Sequence, residues 1–169
     1  MAEEISVDKT LSDSEIYENL LPQLISLLNI DEPLISGLSN VTAAFKMAFD
    51  KISWVGFYFA KDDTLFLGPF QGKTACTRIK IGTGVCGQSA LKQETIIVQN
   101  VHEFTGHIAC DGGSNSEIVV PIIKNGKTLA VFDLDSYSFS SFNEIDKFYL
   151  EKFCVILTDK LNWDNFIIA

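Results

Sequence analysis

The sequence predicts an α+β fold in which a mainly antiparallel, six-stranded sheet carries helices on one face and a loop-covered pocket on the other. Three observations lead there. Apolar residues recur at helical spacing near both ends of the chain, short β-rich runs joined by tight-turn signals fill the middle, and a long loop rich in small polar residues interrupts the strands. The 169 residues suit one domain with one core: N-terminal helices at about 12–50, sheet and loops at about 52–136, and a C-terminal helix at about 143–162.

The first helix is expected to start near Ser12, with Glu15 completing a capping box and Ile16, Leu20, Leu24, Leu27 and Leu28 forming its apolar stripe. Pro22 falls inside this stripe, where a missing N–H and a ring clash would kink or divide the helix. A second helix spans roughly 33–50. "ISWVGFYFA" and "DTLFLGPF" meet at Asp62-Asp63 and read as a hairpin; "TRIKI" and "TIIVQN" are further strands, with a short helix from about Val85 to Lys92 between them. "EIVVPII" and "TLAVFDLD" flank Asn125-Gly126, the strongest hairpin signal in the chain. From Asn143 a terminal helix carries Phe148, Leu150, Phe153, Ile156, Leu157 and Leu161. The loop from Val101 to Ser116 is left to cover the sheet face that lacks helices, and loops of that length in compact domains are usually functional.

A composition 47% hydrophobic and 21% charged is that of a globular chain, not a disordered one. Thirteen basic against 22 acidic side chains give a net charge of −9, which argues against a nucleic-acid groove and against an anionic membrane surface. The most apolar run, "ISWVGFYFA", is far short of the ~20 residues a spanning helix needs. "MAEEISVDK" lacks the apolar stretch of a secretory signal, so a cytoplasmic protein is expected. In a reducing compartment Cys76, Cys86, Cys110 and Cys154 are not expected to form a structural disulfide framework. No Cys-x-x-Cys pair occurs, and the spacing of Cys76, Cys86, Cys110, His102 and His107 matches no zinc pattern, so no metal is expected. The two histidines are read as partners of loop backbone groups, and Cys154, in "KFCVIL", as a core residue.

"GTGVCG" (Gly82 to Gly87) matches the glycine pattern of a dinucleotide fingerprint, but the helix after it is too short for a βαβ crossover and the next strand lacks a terminal acid. Read as a strand-to-helix turn, it puts Cys86 in the first turn of a helix, where backbone N–H groups and the helix dipole can lower a thiol pKa. Cys110 lies in "HIACDGGSNSE", an odd place for a residue that ordinarily prefers a core. Asp111 beside it is read as capping a turn.

Asp133 and Asp135 alternate with Phe132 and Leu134, so both carboxylates face one side of their strand. Either they lie at the strand end in solvent, or a cation meets them in a pocket. Hairpin register bears on the choice. A two-residue turn pairs Lys124 with Lys127 and turns Glu117 away from Asp133. A three-residue loop, Lys124-Asn125-Gly126, pairs Ile123 with Lys127 and sets Glu117 opposite Asp133 and Val119 opposite Val131. The second register leaves Ile118, Val120, Ile122, Ala130, Phe132 and Leu134 as a wholly apolar opposite face and is therefore expected. It gathers three carboxylates that repel one another unless a ligand such as an ammonium group joins them. Trp54, Gly56 and Tyr58 share one face of their strand, and the polar tips of Trp and Tyr suit the wall of a small-ligand pocket.

"WVGFY", "LGPFQGKTAC", "GVCGQSA", "GHIACDGGSNSEIVVP" and "VFDLDS" together resemble the free methionine-(R)-sulfoxide reductase family, a group of single-domain, GAF-like enzymes. The resemblance runs from about Ser53 to Phe142 and includes the cysteine spacing. It implies a GAF-like fold, reduction of the free amino acid oxidised at sulfur, no cofactor, and thioredoxin as the external reductant. By the same resemblance Cys110 is the nucleophile, Cys76 the resolving partner, and Cys86 assists or shares resolution. Glu117, Asp133 and Asp135 would hold the substrate, with Trp54 and Tyr58 lining its pocket. Family members are often homodimers, but no interface is legible in this sequence.

The chemistry is consistent with these assignments. A thiolate attacks the sulfoxide sulfur, Glu117 or Asp135 protonates the oxygen, and a sulfenic acid forms that a second thiol converts to a disulfide. The acids would also pair with the ammonium that a peptide-bound methionine lacks, a physical basis for selectivity. The alternative from another class is a GAF-type sensor module that binds a small ligand without turnover.

Overall fold

A computed structural model describes residues 4–106 and 112–164. Helix α1 (Asp13–Leu27) begins at the expected capping box: the Ser12 hydroxyl accepts from the Glu15 N–H, and the Glu15 carboxylate accepts from the Ser12 N–H at 2.9 Å. Pro22 lies inside α1 without dividing it. Burial of Leu20, Leu21 and Leu24 around it holds the helix against a cost of roughly 3 kcal/mol. Helix α2 (Leu34–Ala48) follows, then the hairpin β1 (Trp54–Lys61) and β2 (Thr64–Gln71), closed by Asp62-Asp63 with Lys61 opposite Thr64. Next come β3 (Arg78–Lys80), α3 (Gly84–Lys92), β4 (Ile96–Val98) and a 3₁₀ turn at Val101–Glu103. The hairpin β5 (Ser116–Lys124) and β6 (Lys127–Ser136) leads to α4 (Glu144–Lys160), which starts at a second capping box between Asn143 and Asp146.

The six strands form one sheet in the order β3-β2-β1-β6-β5-β4, and every pair is antiparallel. Helices α1, α2 and α4 cover one face, where Phe57, Ile118, Val120, Phe132 and Leu134 pack with Tyr17, Leu20, Phe45 and Phe153. Phe148, counted among the apolar residues of the terminal helix, is instead 50% exposed. The expectation that helices sit on one face needs a correction. The short helix α3 lies on the other face, where Val85, Cys86 and Ala90 pack against Trp54, Tyr58, Val119 and Val131. Its backbone enters tightly: a Cβ on Gly87 would collide with the Lys80 carbonyl, so a glycine is required there.

The β5–β6 register also differs from expectation. Asn125 and Gly126 have φ of 53° and 75°, the pair of positive angles that a type I′ turn needs, so the turn has two residues and pairs Lys124 with Lys127. A bulge then falls within the strand: Ile123 pairs with Thr128 and Ile122 with Ala130, leaving Leu129 as the extra residue. Glu117 thus lies opposite Asp135, not Asp133, and Val119 lies opposite Asp133. The bulge does what the longer loop was expected to do. All three acids still share one face, and the apolar set Ile118 to Leu134 still faces the helices.

One buried charge ties the helical layer together. Asp146, fully buried, accepts from Lys51 Nζ at 2.6 Å and from the Tyr17 hydroxyl at 2.8 Å, and its other oxygen accepts from the Asn143 N–H. Lys51 also reaches Asp13 at 2.6 Å, so α1, α4 and the turn between α2 and β1 meet at one point. Asp146→Ala strips this acceptor from Lys51, Tyr17 and the cap together. It should destabilise the protein by about 3–5 kcal/mol, read as a lower urea midpoint with unchanged slope, while Asp146→Asn should lose less.

Candidate active site

The face opposite α1, α2 and α4 carries the groups that the sequence singles out. Strand alternation places Glu117 on β5 and Asp133 on β6 there, diagonal to each other, and the first turn of α3 lowers Cys86 onto them. Cys86 Sγ is 3.2 Å from Asp133 Oδ2 and 4.0 Å from Glu117 Oε1. Glu117 and Asp133 are each 6% exposed, and Cys86 is 4% exposed. Asp133 Oδ1 is buried with no hydrogen-bond partner. Asp135 is half-buried nearer the strand end, opposite Trp54 on β1.

Two aromatic side chains wall this face. The Trp54 ring stacks on Tyr58 at 6.0 Å and on Phe70 at 5.5 Å, and its Nε1 donates to the Lys73 carbonyl at 3.0 Å. The indole lies over Gly56, the residue opposite Asp133, where any Cβ would run into the ring. The Tyr58 hydroxyl donates to the Cys76 carbonyl at 3.0 Å, which fixes the backbone of that cysteine to the acid-bearing face. Phe70 was not singled out in the sequence. Its alternation along "LFLGPF" with Gly56 across the hairpin was the available signal.

Burial dominates the electrostatics. It pushes the Asp133 carboxyl up to about 7 and Glu117 well above the usual carboxylate range. Glu117 is raised further by the neighbouring charges of Asp133 and Asp135 and by donating its proton to Asp133. Asp133, by contrast, is restrained by accepting from Cys86 and Glu117. Burial therefore favours a pair that keeps a proton over one that is doubly ionised. The Cys86 thiol is raised as well, by burial first and then by Asp133 and Glu117. This reverses the expectation of a lowered thiol. The dipole of a helix end contributes about 1 kcal/mol, less than the loss of water and two carboxyls oppose. Tyr58 is likewise raised, by burial and then Asp133.

The cysteines divide clearly. Cys76 is disulfide-bonded, whereas Cys86 and Cys154 carry free thiols. Cys154 is buried in the helix-side core, as expected. Cys110, His107 and Asp111 lie outside the described residues. His102 does not serve a loop carbonyl: its Nε2 donates to Asn115 Oδ1 at 2.9 Å. Among the described residues the groups that could hold a metal ion are Cys86, Glu117 and Asp133, a set different from the cysteine–histidine combination weighed in the sequence.

A face with this architecture and these side chains has known relatives. The GAF domain family model matches residues 38–158. A GAF domain-containing protein A from Dictyostelium discoideum is 48% identical over 93% of this chain and 99% of its own length. The free methionine-R-sulfoxide reductase of Saccharomyces cerevisiae is 43% identical over 92% of this chain and 91% of its own. A crystal structure of the Neisseria meningitidis free methionine-R-sulfoxide reductase in complex with its substrate superposes with a TM-score of 0.87 at 40% identity, covering 93% of this chain and 95% of that one. The chain belongs to the GAF domain family, within its branch of free methionine-R-sulfoxide reductases.

The buried acid pair has a measurable consequence for stability. Burial pushes the Asp133 carboxyl from its ordinary 3.8 up to about 7 in the folded protein. Between those values the folded state holds a proton that the unfolded state has released. The stability from this group is therefore complete below pH 3.8 and is lost as pH rises through about 7. Thermal scans of the ligand-free protein should show a fall across this window, to which Asp133 adds up to about 4 kcal/mol; Asp133→Asn should reduce it, and Asp133→Asn with Glu117→Gln should remove it. A flat wild-type profile would count against a buried, strained acid pair.

Proposed function

We propose that this protein reduces the R epimer of free methionine sulfoxide to methionine, with Cys110 as nucleophile and Cys76 as resolving thiol. The observation that carries the reading is the meeting, on one sheet face, of a buried proton-holding acid pair with a Tyr58 hydroxyl bonded to the backbone of disulfide-bonded Cys76. The family of the chain points to the same reaction.

The substrate ammonium pairs with Asp133 and Asp135, and Trp54 and Tyr58 flank the side chain. Asp133 Oδ1, which has no partner of its own, is the acceptor such an ammonium satisfies. The Cys110 thiolate attacks the sulfoxide sulfur, and the oxygen takes a proton from Glu117, whose carboxyl is pushed well above the usual range by burial and by the charges of Asp133 and Asp135. The oxygen leaves on Cys110 as a sulfenic acid, and methionine departs with its sulfur reduced. The Cys76 thiol displaces that hydroxyl as water, forming the Cys76–Cys110 disulfide, which two thiols of thioredoxin reduce. Cys86 takes no part in this exchange. Its raised, buried thiol stays protonated and donates to Asp133, so it positions the substrate acid. No cofactor enters the scheme, and the dependence on thioredoxin fits a cytoplasmic protein. No described helix is long and apolar enough to cross a membrane.

An NADPH-coupled thioredoxin assay tests the scheme directly. The R epimer should turn over and the S epimer should not. N-acetylated methionine sulfoxide, which has no ammonium, should turn over at least 100-fold less efficiently, a loss of about 3 kcal/mol of binding. Cys110→Ser should abolish turnover. Full activity in that variant, or none in the wild type, removes the mechanism, and binding without turnover would favour a sensor module. Asp133→Asn should mainly raise KM, and Glu117→Gln should mainly lower kcat.

The role of Cys86 separates by substitution. Cys86→Ser keeps a donor to Asp133 and should hold KM within about threefold, while Cys86→Ala should raise it about tenfold with little change in kcat. A kcat collapse in both variants would instead make Cys86 a redox partner.

A further inference from the structure

The thiol and two carboxyls that meet above the sheet have a second chemistry available to them. Cys86, Glu117 and Asp133 each offer one ligand atom, and these atoms all lie within 4.8 Å of one another. They come from three different elements, α3, β5 and β6, so sheet pairing and helix packing fix their spacing. Asp133 Oδ1, buried in the same cluster, has no hydrogen-bond partner. Cys86 is a free thiol in a structure in which Cys76 is disulfide-bonded, so this set of donors persists when the exchange pair is oxidised.

We propose that Cys86, Glu117 and Asp133 form a binding site for a soft divalent cation of the Zn²⁺ type. Around a tetrahedral zinc with bonds of ~2.0–2.3 Å, neighbouring donors stand about 3.3–3.8 Å apart. The Cys86–Asp133 separation of 3.2 Å and the Cys86–Glu117 separation of 4.0 Å bracket that spacing, so rotation of the Glu117 side chain completes the cage. One thiolate and two carboxylates carry one negative charge more than a divalent cation neutralises, and the cation takes the place of protons that burial otherwise favours on them. The thiolate selects against Mg²⁺ and Ca²⁺, which take oxygen ligands. Three protein ligands leave the fourth position to water or a ligand atom. The cation and a substrate ammonium would compete for Asp133, and that clause alone rests on the proposed function; the metal site itself does not.

The probe is Cd²⁺ added to the full-length protein in its disulfide form, followed by thiolate-to-cadmium charge-transfer absorption. One equivalent should saturate the band, Zn²⁺ should bleach it, and a hundredfold excess of Mg²⁺ should not. Cys86→Ser should lose the band, Cys154→Ser should keep it, and Asp133→Asn should weaken Cd²⁺ binding at least tenfold while the fold, checked by circular dichroism, is retained. The absence of a saturable band, or its survival in Cys86→Ser, overturns the site. Should Cys86→Ser fail to fold, undiminished binding in both Asp133→Asn and Glu117→Gln overturns it instead. Free methionine sulfoxide should displace the ion, and no displacement overturns the shared use of Asp133. A protein inactive toward sulfoxides that still binds Cd²⁺ through Cys86 would remove the proposed function and leave the metal site standing.

Discussion

The alternation of side chains along β5 and β6 is the constraint on which the other features rest. Both faces of this strand pair are buried, one under α1, α2 and α4 and the other under α3 and the Trp54–Tyr58 wall. A slip of one residue would drive Glu117 and Asp133 into the helix-side core and present Phe132 and Leu134 to the acid face. Each exchange costs several kcal/mol, because a carboxyl buried without partners is among the most expensive errors a core can hold. The bulge at Leu129 is the local device that reconciles this demand with the two-residue turn at Asn125-Gly126.

Legibility in the sequence follows the range of the interactions involved. The capping box at Ser12 and Glu15, the two hairpins and the face segregation of β1, β5 and β6 are encoded by neighbours a few residues apart, and each reads correctly from spacing. The register is not local in that sense. Face segregation requires an even offset, but a long loop and a tight turn plus bulge both supply one, and only the φ preferences of Asn125 and Gly126 separate them. The side of the sheet on which α3 packs is set by Gly87 lying against the Lys80 carbonyl, a contact that no periodicity announces. The proximity of Cys86 to Glu117 and Asp133 follows from that placement, so it was not legible either. Trp54 and Tyr58, by contrast, appeared as a wall because period-two alternation alone puts them on the acid face.

The acid face departs from what stability alone would favour. Hydrophobic residues at Glu117 and Asp133 would pack between Val119 and Val131 without a desolvation penalty. The chain instead keeps two carboxyls whose ionisation burial opposes, and Asp133 retains an unpartnered oxygen. An acid cluster of this kind favours a cationic ligand, because the ligand restores the ionised state and its Coulomb energy together. The same feature yields selectivity without shape. In the proposed reaction a neutral analogue would gain nothing from Asp133, so a single missing charge would separate substrates that are otherwise nearly isosteric.

Thiol identity in this fold is decided by surroundings more than by position along a helix. Cys86 occupies the first turn of α3, where helix geometry alone would favour a thiolate. Yet it is buried and faces two carboxyls, and these oppose ionisation more strongly than the helix end promotes it. Cys154 is raised by burial in the helix-side core, with Glu151 adding to it. Neither free thiol is therefore a ready nucleophile at neutral pH. A positive charge beside Glu117 and Asp133 would change this balance for Cys86, the thiol that those two carboxyls face. The group that holds Asp133 in place when the pocket is neutral becomes a ligand when a divalent cation enters. One buried hydrogen bond thus has two chemical fates, governed by the charge of whatever occupies the pocket.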